Sequence, residues 1–155
     1  MPYGKKVFIS EADQYVFAQG SHYDIYKKLG SHKTVKDGKK GYYFAVWAPN
    51  AESVSLVGDF NGWNDEANVM ERHPNNGIYD IFVEGLKENE LYKYVIVTKD
   101  GDKLYKADPF ANYAELRPGT ASRVYDISKI KWTDDKWLEA RKAKNYYAEP
   151  VSVYE

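Results

Sequence analysis

The chain has 155 residues and a formal net charge of -1, from 22 lysine and arginine residues against 23 aspartate and glutamate residues. This balance argues against a nucleic-acid-binding protein, and the absence of cysteine excludes disulfide bonds and thiolate metal sites. No apolar run is long enough to span a membrane, and the length suits one domain. Because the apolar part of residues 1–9 is too short for a secretory signal, we expect a soluble cytoplasmic protein.

The N-terminal part of the chain has helical patterning. Ser10 stands three positions before Asp13, a variant of the capping box, and the apolar residues that follow predict a short helix. A second short helical turn is predicted over residues 24–29. We therefore expect residues 1–33 to form a helical extension.

From Thr34 the apolar period changes to two, which is typical of β-strands. Strands recur at intervals of about ten residues and are joined by turns that contain Asp-Gly or Asn-Gly. The predicted strands cover residues 41–48, 53–57, 78–83, 91–98, 103–107 and 122–127. Since the apolar residues alternate and no βαβ pattern is present, we expect an all-β fold, an antiparallel β-sandwich over residues 34–128.

Residues 129–155 differ in character from the predicted sandwich. Thr133 is predicted to cap a short helix with an acidic first turn and a basic last turn. Residues 151–155 have strand character, but no turn or partner strand follows them. We interpret residues 129–155 as a helix and a linker into a strand that belongs to something larger.

Motifs that carry reaction chemistry are sparse in this sequence. The histidines, at positions 22, 32 and 73, lack the short spacing of a metal site, and no phosphate-binding loop or nucleophile elbow is present. The carboxylates lie mostly in predicted turns, so no catalytic pair can be picked out. We therefore expect no active site, no metal site and no cofactor.

The stretch VGDFNGWN, residues 57–64, joins a predicted strand to a turn that carries Trp63. Its glycines allow backbone angles that other residues disfavour, and Asp59 and Asn61 can hydrogen-bond the turn backbone. A tryptophan on such a turn either covers the edge of a sheet or stacks on a ligand. The sequence alone leaves both roles open.

Two further residues fit a sugar site together with Trp63. A pyranose ring offers C–H faces that stack on aromatic rings, and its hydroxyls need polar partners. Lys93, in a tyrosine-rich strand, and Tyr105, after a hairpin, would supply both kinds of contact. Lys93 has the opposite parity from Tyr92 and Tyr94, which we assign to the core, so it faces solvent or a ligand.

A set of motifs in this order resembles one protein family. The motifs are FAVWAPNA at residues 44–51, VGDFNGW at 57–63, YKY at 92–94, KADP at 106–109 and RPGTAS at 117–122. They are similar to the amino-terminal domain of glycogen (1,4-α-glucan) branching enzymes of glycoside hydrolase family 13. That domain belongs to carbohydrate-binding module family 48. The resemblance runs from about residue 23 to the end of the chain and implies an immunoglobulin-like β-sandwich.

The resemblance also implies contacts with an α-glucan such as glycogen or a maltooligosaccharide. Trp63 matches a stacking tryptophan, Lys93 matches a lysine that meets sugar hydroxyls, and Tyr105 holds the position of a second stacking aromatic. Thr120 and Ser122 match neighbouring polar contacts. The alternative is a purely structural domain that packs on a catalytic barrel and has no sugar binding of its own.

In the family the aspartate nucleophile and the glutamate acid/base lie in a (β/α)8 barrel. Residues 150–155 resemble only the first strand of that barrel, so no residue of this chain inherits a catalytic role. The resemblance implies a non-catalytic module of a transferase that moves an α-1,4 glucan segment to a 6-hydroxyl. The barrel of the same parent chain is the second expected partner, and neither nucleic acid nor a membrane is expected.

Overall fold

Two antiparallel β-sheets form the body of the described structure. The computed structural model describes residues 8–155, and residues 1–7, most of the segment considered as a secretory signal, lie outside the described residues. The first sheet has the order β1 (Gly30–Lys36), β2 (Lys39–Trp47), β5 (Ile78–Glu84), β4 (Glu71–Arg72). The second sheet has the order β3 (Ser53–Gly58), β6 (Leu91–Val97), β7 (Lys103–Lys106), and β8 (Ser122–Arg123) also pairs with β6. The predicted all-β antiparallel sandwich is confirmed.

Short helices flank the two sheets. Helix α1 spans Glu11–Ala18 and helix α2 spans Asp135–Ala143. The Ser10 hydroxyl accepts a hydrogen bond from the Asp13 amide at 3.2 Å, and the Asp13 carboxylate accepts one from the Ser10 amide at 2.9 Å. The predicted capping box is therefore confirmed, because these bonds satisfy amides that the first turn of a helix leaves unpaired. Short 3-10 turns lie at Ile25–Lys27, Asp59–Asn61, Ile127–Lys129 and Tyr146–Ala148.

The core lies between the two sheets and is rich in tyrosine. It is filled by inward-facing side chains of β2, β3, β5 and β6, among them Phe44, Val46, Val54, Leu56, Tyr79, Tyr92 and Tyr94. The hydroxyls of Tyr92 and Tyr94 donate to the Asp108 carboxylate at 2.7 and 3.2 Å. A buried hydroxyl without a partner is unfavourable, so Asp108 allows these two rings to lie in the core.

The N-terminal segment packs on the outer face of the first sheet. A second buried cluster there consists of Leu29, Tyr43, Ala45 and Ile78, with Phe8, Ile9, Phe17 and Ile25 packed against it. The Phe8 ring meets the Tyr43 ring edge-on at 4.8 Å, and the Tyr43 hydroxyl donates to Asp80 at 2.6 Å. The first sheet is thus covered on both faces, which explains why both faces of β2 are apolar.

Strand β1 begins earlier than the change of period predicts. It starts at Gly30, and its first residues pair with β2 through Gly30 and Ser31, both of which are buried. Hydropathy does not reveal a strand made of small and polar residues, so the alternation becomes visible only from Thr34. The predicted division of the chain at residues 33/34 and 128/129 stays a prediction.

Two predicted segments near the sheets are corrected by the structure. The second predicted helix, over residues 24–29, is only a 3-10 turn at Ile25–Lys27. In the predicted loop over residues 64–74, Met70 is buried, but Val69 is 56% exposed and does not anchor the loop as expected. Val69 instead forms an isolated bridge with Ser55, which extends the edge of β3.

The structure corrects details of the predictions for the C-terminal part of the chain. The strand predicted over residues 122–127 ends at Arg123. Asp126 instead caps a 3-10 turn at Ile127–Lys129, where its carboxylate accepts a hydrogen bond from the Ser128 amide at 3.0 Å. Helix α2 begins after Asp134, so Thr133 is not its cap. Residues 151–155 are exposed and irregular and do not form the expected strand, because a strand needs a partner for its backbone groups.

Candidate functional site

The outer face of the second sheet carries Lys93 and Tyr105. In β6, Lys93 alternates with the buried Tyr92 and Tyr94, so its side chain points away from the core, as predicted. Tyr105 lies directly opposite Val95 in the pairing of β6 with β7. Opposed residues of paired strands share a face, and Val95 has the same parity as Lys93. Lys93 and Tyr105 therefore belong to one surface.

Thr120 extends this surface beyond β6. The Lys93 ammonium donates to the Thr120 hydroxyl, with 2.7 Å between Nζ and Oγ1. Thr120 is exposed and lies in the segment that leads into β8. Because an ammonium group has three N–H donors, two further donors can serve acceptor oxygens of a ligand. The pair thus presents a fixed positive charge beside a hydroxyl.

The loop after β3 positions Trp63 through a long-range contact. The Asp59 carboxylate accepts a hydrogen bond from the Leu91 amide at 2.9 Å, which attaches the loop to the start of β6. The other carboxylate oxygen of Asp59 accepts from the Trp63 indole Nε1 at 3.2 Å. The orientation of the indole is therefore tied to the sheet.

The same loop crosses the outer face of the second sheet. Asp65 forms an ion pair with Lys103 of β7 at 2.6 Å, and Lys103 has the same parity as Tyr105. The hydrogen bond from the Lys103 ammonium holds the pKa of Asp65 below its ordinary value, so the pair stays charged at neutral pH. Val57 and Val95 also point away from the core, by the register of β3 on β6, and both are fully buried. Trp63 lies in the loop between these two attachments.

Trp63 has a backbone conformation that bulky residues rarely adopt. Its φ is 62°, in the left-handed region, where an L-residue is destabilised by about 1–2 kcal/mol. The residue is 37% exposed, so part of the ring is open to solvent. Strain of this kind is typical of functional positions, where the surrounding structure enforces it.

We expect Trp63→Gly to be more stable than Trp63→Ala. Both substitutions remove the ring and its packing, but alanine keeps a Cβ that disfavours a φ of 62°, whereas glycine does not. The difference should be about 1 kcal/mol, or about 2–4 °C in melting temperature. Thermal unfolding of the two variants, followed by circular dichroism, checks this order. An alanine variant as stable as the glycine variant would contradict the left-handed conformation.

Ser122 does not join this surface. It is 1% exposed, and its hydroxyl accepts a hydrogen bond from the Asp108 amide at 2.9 Å. It lies opposite Tyr92 in the pairing of β8 with β6, and Tyr92 faces the core. The predicted ligand contact is incompatible with this position, because a glucan cannot reach a buried hydroxyl. We therefore assign Ser122 a structural role.

The structure adds residues to the surface that the sequence analysis missed. The sequence predicts that Asp59 bonds the backbone of its own turn, whereas its carboxylate accepts from the Trp63 indole and from the amide of the distant Leu91. Asp65 and Lys103 belong to no motif, and their ion pair becomes visible only in the structure. Of these residues, only Lys103 could have been placed on the surface from the sequence, because it lies two positions before Tyr105 in the same predicted strand.

The histidines hold separate structural contacts. The pairs are His22 with Asp13 at 3.0 Å, His73 with Asp80 at 2.7 Å, and His32 with the Leu29 carbonyl at 2.8 Å. Burial lowers the pKa of His32, which favours its neutral form. Within residues 8–155 no group of three or more histidine, aspartate or glutamate side chains could hold a metal ion. In the same residues no helix is long and apolar enough to cross a membrane.

Comparisons with known proteins agree with this architecture. Residues 28–111 match the family model of carbohydrate-binding module 48 (isoamylase N-terminal domain). The chain is 56% identical over 151 residues to the 1,4-alpha-glucan branching enzyme GlgB of Butyrivibrio fibrisolvens, an alignment that covers 97% of this chain and 24% of that protein. It is 48% identical over 143 residues to the protein of the same name from Bacillus subtilis (strain 168), an alignment that covers 92% of this chain and 23% of that protein. The chain thus spans about a quarter of the length of these curated relatives.

Solved structures share the fold at lower sequence identity. A pullulanase complexed with maltotetraose, from Anoxybacillus sp. LM18-11, has a TM-score of 0.54 at 27% identity, over 67% of this chain and 14% of that one. The apo pullulanase of Klebsiella pneumoniae has a TM-score of 0.55 at 22% identity, over 75% of this chain and 12% of that one. This second similarity shows the fold alone. Because the family model matches more than half of its residues, the chain belongs to carbohydrate-binding module family 48.

Proposed function

We propose that the outer face of the second sheet binds α-1,4-glucan, such as glycogen or a maltooligosaccharide. The observation that supports this proposal is the face that holds Tyr105 and the hydrogen-bonded pair of Lys93 and Thr120, crossed by the loop that carries the partly exposed Trp63. Aromatic rings can stack on pyranose faces, and the ammonium and hydroxyl groups can bond sugar hydroxyls. Membership of a carbohydrate-binding family supports the same class of ligand.

The proposal extends to a role within a larger enzyme. The relatives named above are branching enzymes. We therefore propose that the chain is the amino-terminal part of a cytoplasmic 1,4-α-glucan branching enzyme of glycogen biosynthesis. The catalytic barrel of that parent would transfer an α-1,4 glucan segment to a 6-hydroxyl through a covalent glycosyl intermediate, as retaining enzymes do. The module would take no part in bond breaking. By holding one part of a long glucan it would raise the effective concentration of the rest near the barrel.

Retardation by glycogen tests the proposed function. In a native gel that contains glycogen, the 155-residue chain should migrate more slowly, relative to an inert control protein, than in a glycogen-free gel. Glycogen offers many chain segments, so even weak single contacts should give a measurable shift. Unchanged relative mobility would count against sugar binding by this chain on its own.

A second candidate role is docking on the catalytic barrel of the same parent. Every residue of α2 is exposed, and large apolar side chains are exposed throughout the C-terminal part of the chain. The exposed aromatics of this part include Trp132, Trp137, Tyr147 and Tyr154. Apolar surface of this kind is typical of protein contacts. Since these aromatics lie outside the strands of the second sheet, docking and glucan binding are compatible.

A further inference from the structure

The second sheet continues past β8 by one more short pairing. Ala114 forms an antiparallel bridge with Ser122, and the Arg123 amide donates to the Tyr113 carbonyl at 2.8 Å. In an antiparallel ladder this pattern places Tyr113 directly opposite Arg123. Residues 113–115 therefore add an edge to the sheet beyond β8.

Tyr113 faces the same side of the sheet as Lys93. Arg123 lies opposite Leu91 in the pairing of β8 with β6, and Leu91 precedes Lys93 by two positions. Residues two apart in a strand, and residues opposed across strands, share a face. Tyr113 is two strand spacings from β6, roughly 10 Å. It thus lies on the outer face of the second sheet, one step beyond β8.

The Tyr113 ring is held in place and partly open. The Arg123 guanidinium lies 5.8 Å from the ring centroid, and the Tyr125 ring lies 5.3 Å away. Tyr113 is nevertheless 49% exposed. The arrangement pairs an aromatic face with a cation that carries several N–H donors. These are the same two kinds of group that Tyr105 and Lys93 offer on this surface.

We infer that Tyr113 and Arg123 form a second contact for the glucan that the outer face of the second sheet binds. The inference rests on the proposed function and deepens it. A short maltooligosaccharide would fill the part of the face near Trp63 and Lys93, and a longer one would also reach Tyr113. The face would therefore bind long linear segments more tightly than short ones.

Substitution of Tyr113 tests this extension with two sugars of different length. Tyr113→Ala should lower the affinity of the 155-residue chain for maltoheptaose about 5-fold, equivalent to roughly 1 kcal/mol. Its affinity for maltotriose should change by less than about 2-fold. Tyr113→Phe keeps the ring and should bind maltoheptaose as the wild type does. Both affinities can be measured by NMR titration.

A matched control and a second measurement guard against misfolding. Tyr26 is 56% exposed and has Lys27 5.4 Å above its ring, but it lies in the N-terminal segment. Tyr26→Ala should leave both affinities unchanged. In the wild-type titration, the amides of Tyr113 and Arg123 should shift with maltoheptaose and not with maltotriose, a result that needs no variant.

The outcomes separate this inference from the proposed function. If the amides of Trp63 and Lys93 respond to maltoheptaose while those of Tyr113 and Arg123 stay unchanged, the extension is wrong and the proposed function stands. An equal loss of affinity for both sugars in Tyr113→Ala also overturns the extension, because Tyr113 would then only support the folded surface. If no amide responds to either sugar, both the extension and the proposed function are wrong.

Discussion

Trp63→Ala should abolish the retardation of the chain by glycogen. We expect its affinity for maltoheptaose to fall at least about 10-fold, equivalent to roughly 1.4 kcal/mol, because no other group replaces the stacking face of the indole. The side chain is 37% exposed, so the substitution also removes some packing. The free energy of unfolding should fall by about 1–2 kcal/mol, less than for a fully buried tryptophan, and the variant should remain folded.

Trp47→Ala is a matched control for this experiment. Trp47 is 52% exposed, but it lies on the first sheet, where its ring meets Phe17 at 5.8 Å and its Nε1 donates to the Asn76 carbonyl at 2.8 Å. The control removes the same side chain from the opposite sheet and should leave glycogen retardation unchanged. If Trp63→Ala is retarded as strongly as Trp47→Ala, Trp63 covers a sheet edge and binds no sugar.

The parts of the fold that depend on local pattern could be predicted from the sequence. The turn between β1 and β2 has left-handed φ values of 51° at Asp37 and 79° at Gly38, as expected for the Asp-Gly hairpin signal. In β6, alternation alone places Tyr92 and Tyr94 in the core and Lys93 outside. These predictions succeed because a strand period of two fixes which side each residue faces, whatever its partner strand.

The parts that depend on distant pairing could not be predicted in the same way. The sequence predicts that Ser122 lies at the surface, whereas in the structure its hydroxyl is buried and accepts a hydrogen bond from the Asp108 amide. Tyr113 lies in a stretch that looks irregular, and its position on the outer face follows from pairing with Arg123. Neither contact changes the local hydropathy pattern. The buried position of Ser122 and the outward position of Tyr113 could therefore be derived only from the strand pairing of the second sheet.

The largest loss of stability is expected from Asp108→Ala. Asp108 is 6% exposed and accepts hydrogen bonds from the hydroxyls of Tyr92 and Tyr94 and from the Phe110 amide at 2.8 Å. Burial raises the pKa of both tyrosines well above the ordinary value, so the hydroxyls stay protonated and need acceptors. Alanine removes the carboxylate acceptor of these donors, at about 1–3 kcal/mol each and not fully additive, and leaves the Tyr94 hydroxyl with the Ala45 carbonyl at 3.5 Å. Urea unfolding should give a total loss of about 3–5 kcal/mol, and a loss below about 1 kcal/mol would contradict this role.

Asp108→Asn tests the charge of this buried group through its dependence on pH. Burial raises the pKa of Asp108 above its ordinary value of 3.8, although the hydrogen bonds from Tyr92, the Phe110 amide and Tyr94 oppose the shift. A carboxyl whose pKa is higher in the folded state binds its proton more tightly there, so its ionisation lowers stability as pH rises from about 4 through the folded pKa. Asparagine does not titrate, and other carboxylates contribute equally to both proteins. The stability advantage of the wild type over Asp108→Asn should therefore be larger at pH 4 than at pH 7. An advantage that grows towards pH 7 would mean that the hydrogen bonds outweigh burial and lower the pKa of Asp108.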